Sequence, residues 1–111
     1  MRRKARLDSN HQEVVETFRK LGCSVLDLSR LGDGCPDLCV GYCGISRLCE
    51  VKDGKKPPSK RKLTEDQKTF ISTDKGGVRI VTCTDDCYAV VAEMRRQANC
   101  LRVHLPSFGD A

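Results

Sequence analysis

Two carboxylates and a lysine define the chemistry open to this chain. Asp37 begins one apolar run, Asp37-Leu38-Cys39-Val40-Gly41, and the next apolar run carries Glu50-Val51-Lys52. A strand alternates its side chains between two faces, so Glu50 and Lys52 emerge together while Cys49 and Val51 point the other way. A hairpin turning through Tyr42-Cys43-Gly44-Ile45 sets Asp37 opposite Glu50. Two hard oxygen donors beside an ammonium group make a divalent-cation site of the kind that hydrolyses phosphodiesters. On this reading Asp37 and Glu50 hold Mg2+ or Mn2+, together with water and the carbonyl of Val51. Lys52 orients the attacking water and offsets charge on the phosphorane, and Glu13 completes the site from the first helix. An acid followed by E-x-K is a common spacing. Its setting is less common, with Pro36 before the acid and a basic loop leaving the lysine.

The charge distribution fits such a substrate. Formal net charge is +5, from 20 Lys and Arg against 15 Asp and Glu, and the excess is concentrated in two places. One is an N-terminal arm over residues 1–8 with Arg2, Arg3, Lys4 and Arg6; the other runs from Lys52 to Lys62 and includes Lys55, Lys56, Lys60, Arg61 and Lys62. Such clusters suit contact with a phosphate backbone, which is electrostatic and largely indifferent to base sequence. The other readings are solvated tail and loop, or a basic surface for an acidic protein partner.

The elements that must position these residues can be taken in order. Ser9-Asn10-His11-Gln12 has the form of a capping box, followed by Val14, Val15, Phe18 and Leu21 at helical spacing and by Gly22 as terminator. A first helix is therefore expected over Asn10–Leu21. Cys23–Leu28 reads as a strand, Leu31–Gly34 as a turn, and Pro36 restricts Cys35 to an extended entry into the next strand. After the Gly- and Pro-containing basic loop, Thr64 and Gln67 form a second capping box, and Phe70 and Ile71 are expected to bury the helix it starts. Val78–Cys83 is the clearest alternating strand. Thr84-Asp85-Asp86 then starts a third helix with the stripe Cys87, Val90, Val91, Met94 and Ala98. Leu101–Leu105 has strand periodicity and is expected as a possible edge strand in a C-terminal extension over residues 99–111.

The order helix, three strands, helix, strand, helix predicts an α/β domain, a mixed central β-sheet flanked by helices, over residues 9–98. With 111 residues, an apolar fraction of 39% and no run of 18 apolar residues, the chain reads as one small domain without a transmembrane segment. The basic start has no apolar stretch after it, so a cytoplasmic protein is expected. Eight cysteines raise the question of disulfides or zinc. Disulfides need an oxidising compartment, and Cys35-x3-Cys39-x3-Cys43 and Cys83-x3-Cys87 lack the C-x2-C knuckle of structural zinc sites. Reduced, mostly buried thiols are expected, with Cys23, Cys49 and Cys83 next to apolar runs. The rival is a zinc-stabilised nucleic-acid-binding protein without catalysis.

From Asn10 to Met94 the chain resembles the PD-(D/E)XK nuclease superfamily, and within it the small stand-alone VRR-NUC nucleases of phages and bacteria. The residues that carry the likeness are Gln12-Glu13, Gly32-Asp33-Gly34-Cys35-Pro36-Asp37-Leu38, Val40-Gly41, Glu50-Val51-Lys52-Asp53-Gly54, Pro58-Ser59 and Leu63-Thr64-x-x-Gln67. The resemblance implies a restriction-endonuclease-like core in which Asp37 and Glu50 are metal ligands and Lys52 is the catalytic lysine. It makes Glu13 an additional acidic residue and Gln67 a polar residue that touches substrate or supports the site. It also implies Mg2+ or Mn2+ as cofactor, a homodimer resembling Holliday-junction resolvases, and a branched or four-way DNA substrate in repair or recombination. Nicking or flap cutting would need the same catalytic face.

Overall fold

In the computed structural model, residues 7–104 are described, with side chains up to Leu101. The elements are α1 (His11–Lys20), β1 (Ser24–Asp27), β2 (Leu38–Tyr42), β3 (Ile45–Val51), a 3-10 turn (Pro58–Lys60), α2 (Glu65–Thr73), β4 (Val78–Val81) and α3 (Thr84–His104). Four strands make one sheet in the order β1-β2-β3-β4. The first three are antiparallel and β4 runs parallel to β3, as a strand-helix-strand crossover through α2 requires. The expected mixed sheet flanked by helices is present.

The sheet has two unlike faces. Leu38, Val40, Cys49, Val51 and Val81 point to one side and are fully buried against Val14 and Phe18 of α1 and Cys87 and Met94 of α3. Arg47 lies on the same face and is tied to α3 by its Nε, 3.3 Å from Glu93 Oε1, and to the loop before β4 by an Nη1–H donated to the Gly76 carbonyl at 2.7 Å. The opposite face carries Asp37, Glu50 and Lys52, and α2 lies over it.

Turn chemistry sets the register. Tyr42 pairs with Ile45 across a two-residue turn whose central residues, Cys43 and Gly44, have φ of 52° and 81°. Both left-handed conformations belong to the tight hairpin turn that matches strand twist. From there the pairing runs back to Leu38 opposite Cys49, so Asp37 falls opposite Glu50 as expected.

Four local expectations are corrected. The Ser9–Gln12 capping box does not form: Asn10 is the N-cap and its side chain caps nothing, while Ser9 Oγ donates to Asp53 Oδ2 at 2.5 Å and Gln12 Nε2 to Glu16 Oε1 at 3.4 Å. A partner 44 residues away outcompetes the local bond. Phe70 and Ile71 do not bury α2, which has no buried residue, because the sheet face beneath it is charged at its centre. Cys83 is exposed at the start of α3; Cys23, Cys49 and Cys87 are the buried thiols, and all eight cysteines are free. Residues 101–104 extend α3. No Gly or Pro stands between Gly77 and Pro106, so nothing in the sequence breaks the helix through the short alternating stretch. Leu105 lies outside the described residues, as do Arg2, Arg3, Lys4 and Arg6 of the basic arm. Among the described residues no helix is long and apolar enough to cross a membrane.

Candidate active site

Asp37 is placed by its backbone and held by its side chain. Its carbonyl accepts from Leu28 N–H at 2.7 Å, which joins the end of β1 to the start of β2. Its Oδ2 accepts from Val51 N–H at 2.8 Å, so the carboxylate takes the place of a ladder carbonyl at the mouth of the β2–β3 hairpin. The side chain of Val51 points into the core.

Glu50 faces Asp37 within hydrogen-bonding reach; Glu50 is buried and Asp37 half-buried. Burial pushes the Glu50 carboxyl up to about 8, with the neighbouring Asp37 charge and hydrogen bond adding to the effect and the Lys52 charge opposing it. Burial also raises Asp37, with the Val51 N–H bond offsetting part of the rise. In the metal-free protein burial therefore favours retention of a proton by the pair. Two carboxylates cannot ionise side by side at low dielectric without a compensating charge.

Gln67 ties the acid to the lysine. Its Nε2 donates to Glu50 Oε1 at 2.7 Å, and its Oε1 accepts from Lys52 Nζ at 2.9 Å. The same Oε1 accepts from Thr64 N–H at 2.9 Å, while Thr64 Oγ1 accepts from Gln67 N–H at 3.2 Å. The expected Thr64–Gln67 capping box is thus present, and the residue that caps α2 also fixes the geometry of Glu50 and Lys52. Gly34 allows this docking: at φ 82° it lies against α2, where a Cβ would stand 2.4 Å from the Asp66 carbonyl oxygen.

Glu13 is not brought to the pair. It is exposed on α1 and lines a separate hollow of about 530 Å³ with Asn10, Asp53, Lys55, Arg61 and Thr82. A second hollow of about 440 Å³ is lined by Lys52, Pro58, Arg61, Lys62, Ile80 and Thr82. Arg61 and Thr82 belong to both, so the two form a basic trough that starts at Lys52. Lys55, Lys56, Lys60 and Lys62 are exposed and Arg61 is half-buried.

The first turn of α1 contributes residues that periodicity did not identify. Asn10 Nδ2 donates to the carbonyls of Lys52 and Thr82, each at 3.1 Å, and bolts the helix start to the ends of β3 and β4. Asp8, assigned by sequence to the arm, lies 3.5 Å from Lys56 Nζ, and its charge adds to the rise of both Asp37 and Glu50. His11 is buried beside Asp27, its Nε2 2.9 Å from Asp27 Oδ2.

Among the described residues no three His, Cys, Asp or Glu side chains converge as a metal cluster. The Asp37–Glu50 pair could hold a cation: two hard oxygen donors whose mutual repulsion a divalent ion such as Mg2+ or Mn2+ would relieve. No family model, curated protein or solved structure matches the chain.

Proposed function

We propose that this chain is a metal-dependent endonuclease of the PD-(D/E)XK superfamily and VRR-NUC type, with a restriction-endonuclease-like core, acting on DNA. The observation that carries the reading is the convergence of Asp37, Glu50 and Lys52 on one sheet face, with both acids raised by burial, Glu50 further by Asp37, and the lysine held by Gln67. A basic trough beginning at Lys52 supports a polyanionic substrate.

Asp37, Glu50 and the Val51 carbonyl would hold Mg2+ or Mn2+, which supplies Lewis-acid neutralisation of the phosphate and an activated water. Val51 N–H fixes Asp37, and Gln67 fixes the Glu50 carboxyl, so neither acid has to be ordered when substrate arrives. Lys52 Nζ, anchored on Gln67 Oε1, places a positive charge where the pentacovalent phosphorane forms. Lys55, Arg61 and Lys62 would carry flanking phosphates along the trough. A homodimer acting on a branched or four-way junction is the substrate geometry that the resemblance adds.

The experiment compares wild type and Lys52→Ala on a four-way junction, a flap, a fork and a linear duplex at one ionic strength with Mg2+ or Mn2+. Cleavage by wild type and loss in the variant are expected. Cleavage unchanged by Lys52→Ala removes the lysine from the mechanism, and no cleavage of any substrate by wild type overturns the enzyme. Linear duplex cut as fast as the junction leaves a nuclease without junction preference.

A further inference from the structure

The two hollows that share Arg61 differ in charge. In the one lined by Lys52, Arg61 and Lys62 every charged residue is a cation. The one of about 530 Å³ at the start of α1 sets Lys55 and Arg61 against Glu13 and Asp53, so its formal charge cancels. A phosphate gains little net attraction there, whereas a neutral group with its own donors and acceptors finds partners of both kinds. The two acids are not equally free. Asp53 already accepts from Ser9 Oγ at 2.5 Å and from Lys55 N–H at 3.0 Å. Glu13 is exposed, and its carboxylate has no hydrogen-bond or ion-pair partner among the described residues. Asn10 Nδ2 donates to the Lys52 and Thr82 carbonyls, which can only accept, so the orientation of the amide is fixed and Oδ1 is its acceptor end. Asn10 Oδ1 and Arg61 Nε are buried and have no hydrogen-bond partner among the described residues. An acceptor and a donor are thus left over on two residues of one lining.

We propose that this hollow takes an unstacked nucleobase of the bound DNA, one with an amino group beside a ring-nitrogen acceptor, as in cytosine and adenine. The inference rests on the DNA-cleaving reading of the acid pair and adds a base-reading pocket beside it. Glu13 accepts from the amino group, with Asn10 Oδ1 as the second acceptor, and Arg61 donates to the ring nitrogen. Such two-point contact is how the edge of a base is recognised outside the stack. Thymine presents a carbonyl where the amino group stands, and a carboxylate repels it. The phosphate attached to the base stays with the cations that line the neighbouring hollow. The backbone ties the pocket to the chemistry: Lys52 reaches Gln67 on the charged face, the next residue, Asp53, lines the hollow, and Asn10 bonds the Lys52 carbonyl. A base seated there fixes the strand to the peptide that carries the lysine. Unstacking costs least where a base is unpaired, so the pocket favours DNA whose pairing is interrupted. Glu13, expected from sequence at the metal, serves the substrate instead.

The test measures binding of the full chain, without metal so that nothing is cut, to a fluorescent duplex with one unpaired position, read by anisotropy. That position holds cytosine, adenine, thymine or an abasic sugar. Wild type should bind the cytosine and adenine duplexes roughly 10-fold more tightly than the thymine and abasic ones. Glu13→Ala should abolish that ratio and still bind the abasic duplex at least as tightly as wild type, because losing a carboxylate does not weaken phosphate contact. Glu13→Gln, which keeps a carbonyl acceptor, should retain part of the ratio. If Glu13→Ala does not fold, wild type and Glu13→Gln decide. Equal affinity of wild type for all four duplexes overturns the pocket and leaves the nuclease reading intact. A full ratio in Glu13→Ala also overturns it, since the base is then read elsewhere. No binding of any duplex by wild type overturns both the pocket and the DNA substrate.

Discussion

On β3 the side chains of Cys49 and Val51 are fully buried against α1 and α3, while Glu50 and Lys52 are buried on the opposite face against polar partners. The first face is held by apolar contact among Phe18, Leu38, Met94 and their neighbours. The second is held by one amide, a capping box and a glycine. A period of two lets one strand serve stability and the proposed chemistry at once, because alternate residues answer to different constraints. Core residues are held by shape, and site residues by the exact groups they bond. Cys49 carries the first half of that lesson: its thiol, pushed up to about 12 by burial, is a small hydrophobe and not a nucleophile.

The sharpest way to break this division is to mutate each face and read both stability and cleavage. Asp37→Asn and Lys52→Ala should each lower the cleavage rate by roughly 100-fold or more while the Lys52 variant unfolds close to wild type. Phe18→Ala, with no contact to the acids, should cost about 3–5 kcal/mol of stability, read by denaturant unfolding. A Lys52 variant that unfolds as easily as the Phe18 variant would show that the two faces are not separable.

A pH series probes the charged face alone. The Glu50 carboxyl rises from its ordinary 4.5 to about 8 in the folded, metal-free protein. Between these values the folded chain holds a proton that the unfolded chain has lost, so stability falls as pH rises through that window. The thermal midpoint of metal-free protein should therefore drop from pH 5 to pH 8, and Glu50→Gln should flatten the slope and raise the pH 8 midpoint by roughly 4 °C or more. Saturating Mn2+ at pH 8 should recover the midpoint of wild type and have a smaller effect on Glu50→Gln. An unchanged slope in Glu50→Gln would place the titration elsewhere.

The smallest expected effect is at the cap. Thr64→Ala should cost about 1 kcal/mol and speed amide hydrogen exchange in α2 without affecting α1 or α3. Equal acceleration in α3 would mean that α2 is part of the apolar core after all.

The same contrast explains what was legible in the sequence. The apolar stripes of α1 and α3, the turn at Cys43-Gly44 and the opposition of Asp37 to Glu50 are set by periodicity and turn geometry, which are local. The Thr64–Gln67 box was legible for the same reason. The second allegiance of Gln67, to Glu50 and Lys52, arises only when α2 docks on the sheet. Ser9 shows the reverse case: a good local cap whose hydroxyl goes to Asp53 once the chain closes. Where Glu13 and His11 come to lie depends on which side of α1 meets the sheet. Both lie within its first turn, and only the packing of Val14, Val15 and Phe18 turns His11 inward and Glu13 outward.

Gly34 gives this arrangement a mechanical meaning. The space a methyl group would need is filled by the Asp66 carbonyl, one residue before Gln67. A side chain at position 34 would act as a wedge under the first turn of α2, lifting the amide from the acid and the lysine while every group involved in chemistry stayed in the sequence. A loss-of-function change at this site would look harmless in an inventory of reactive residues, because what it removes is a fit and not a reactant.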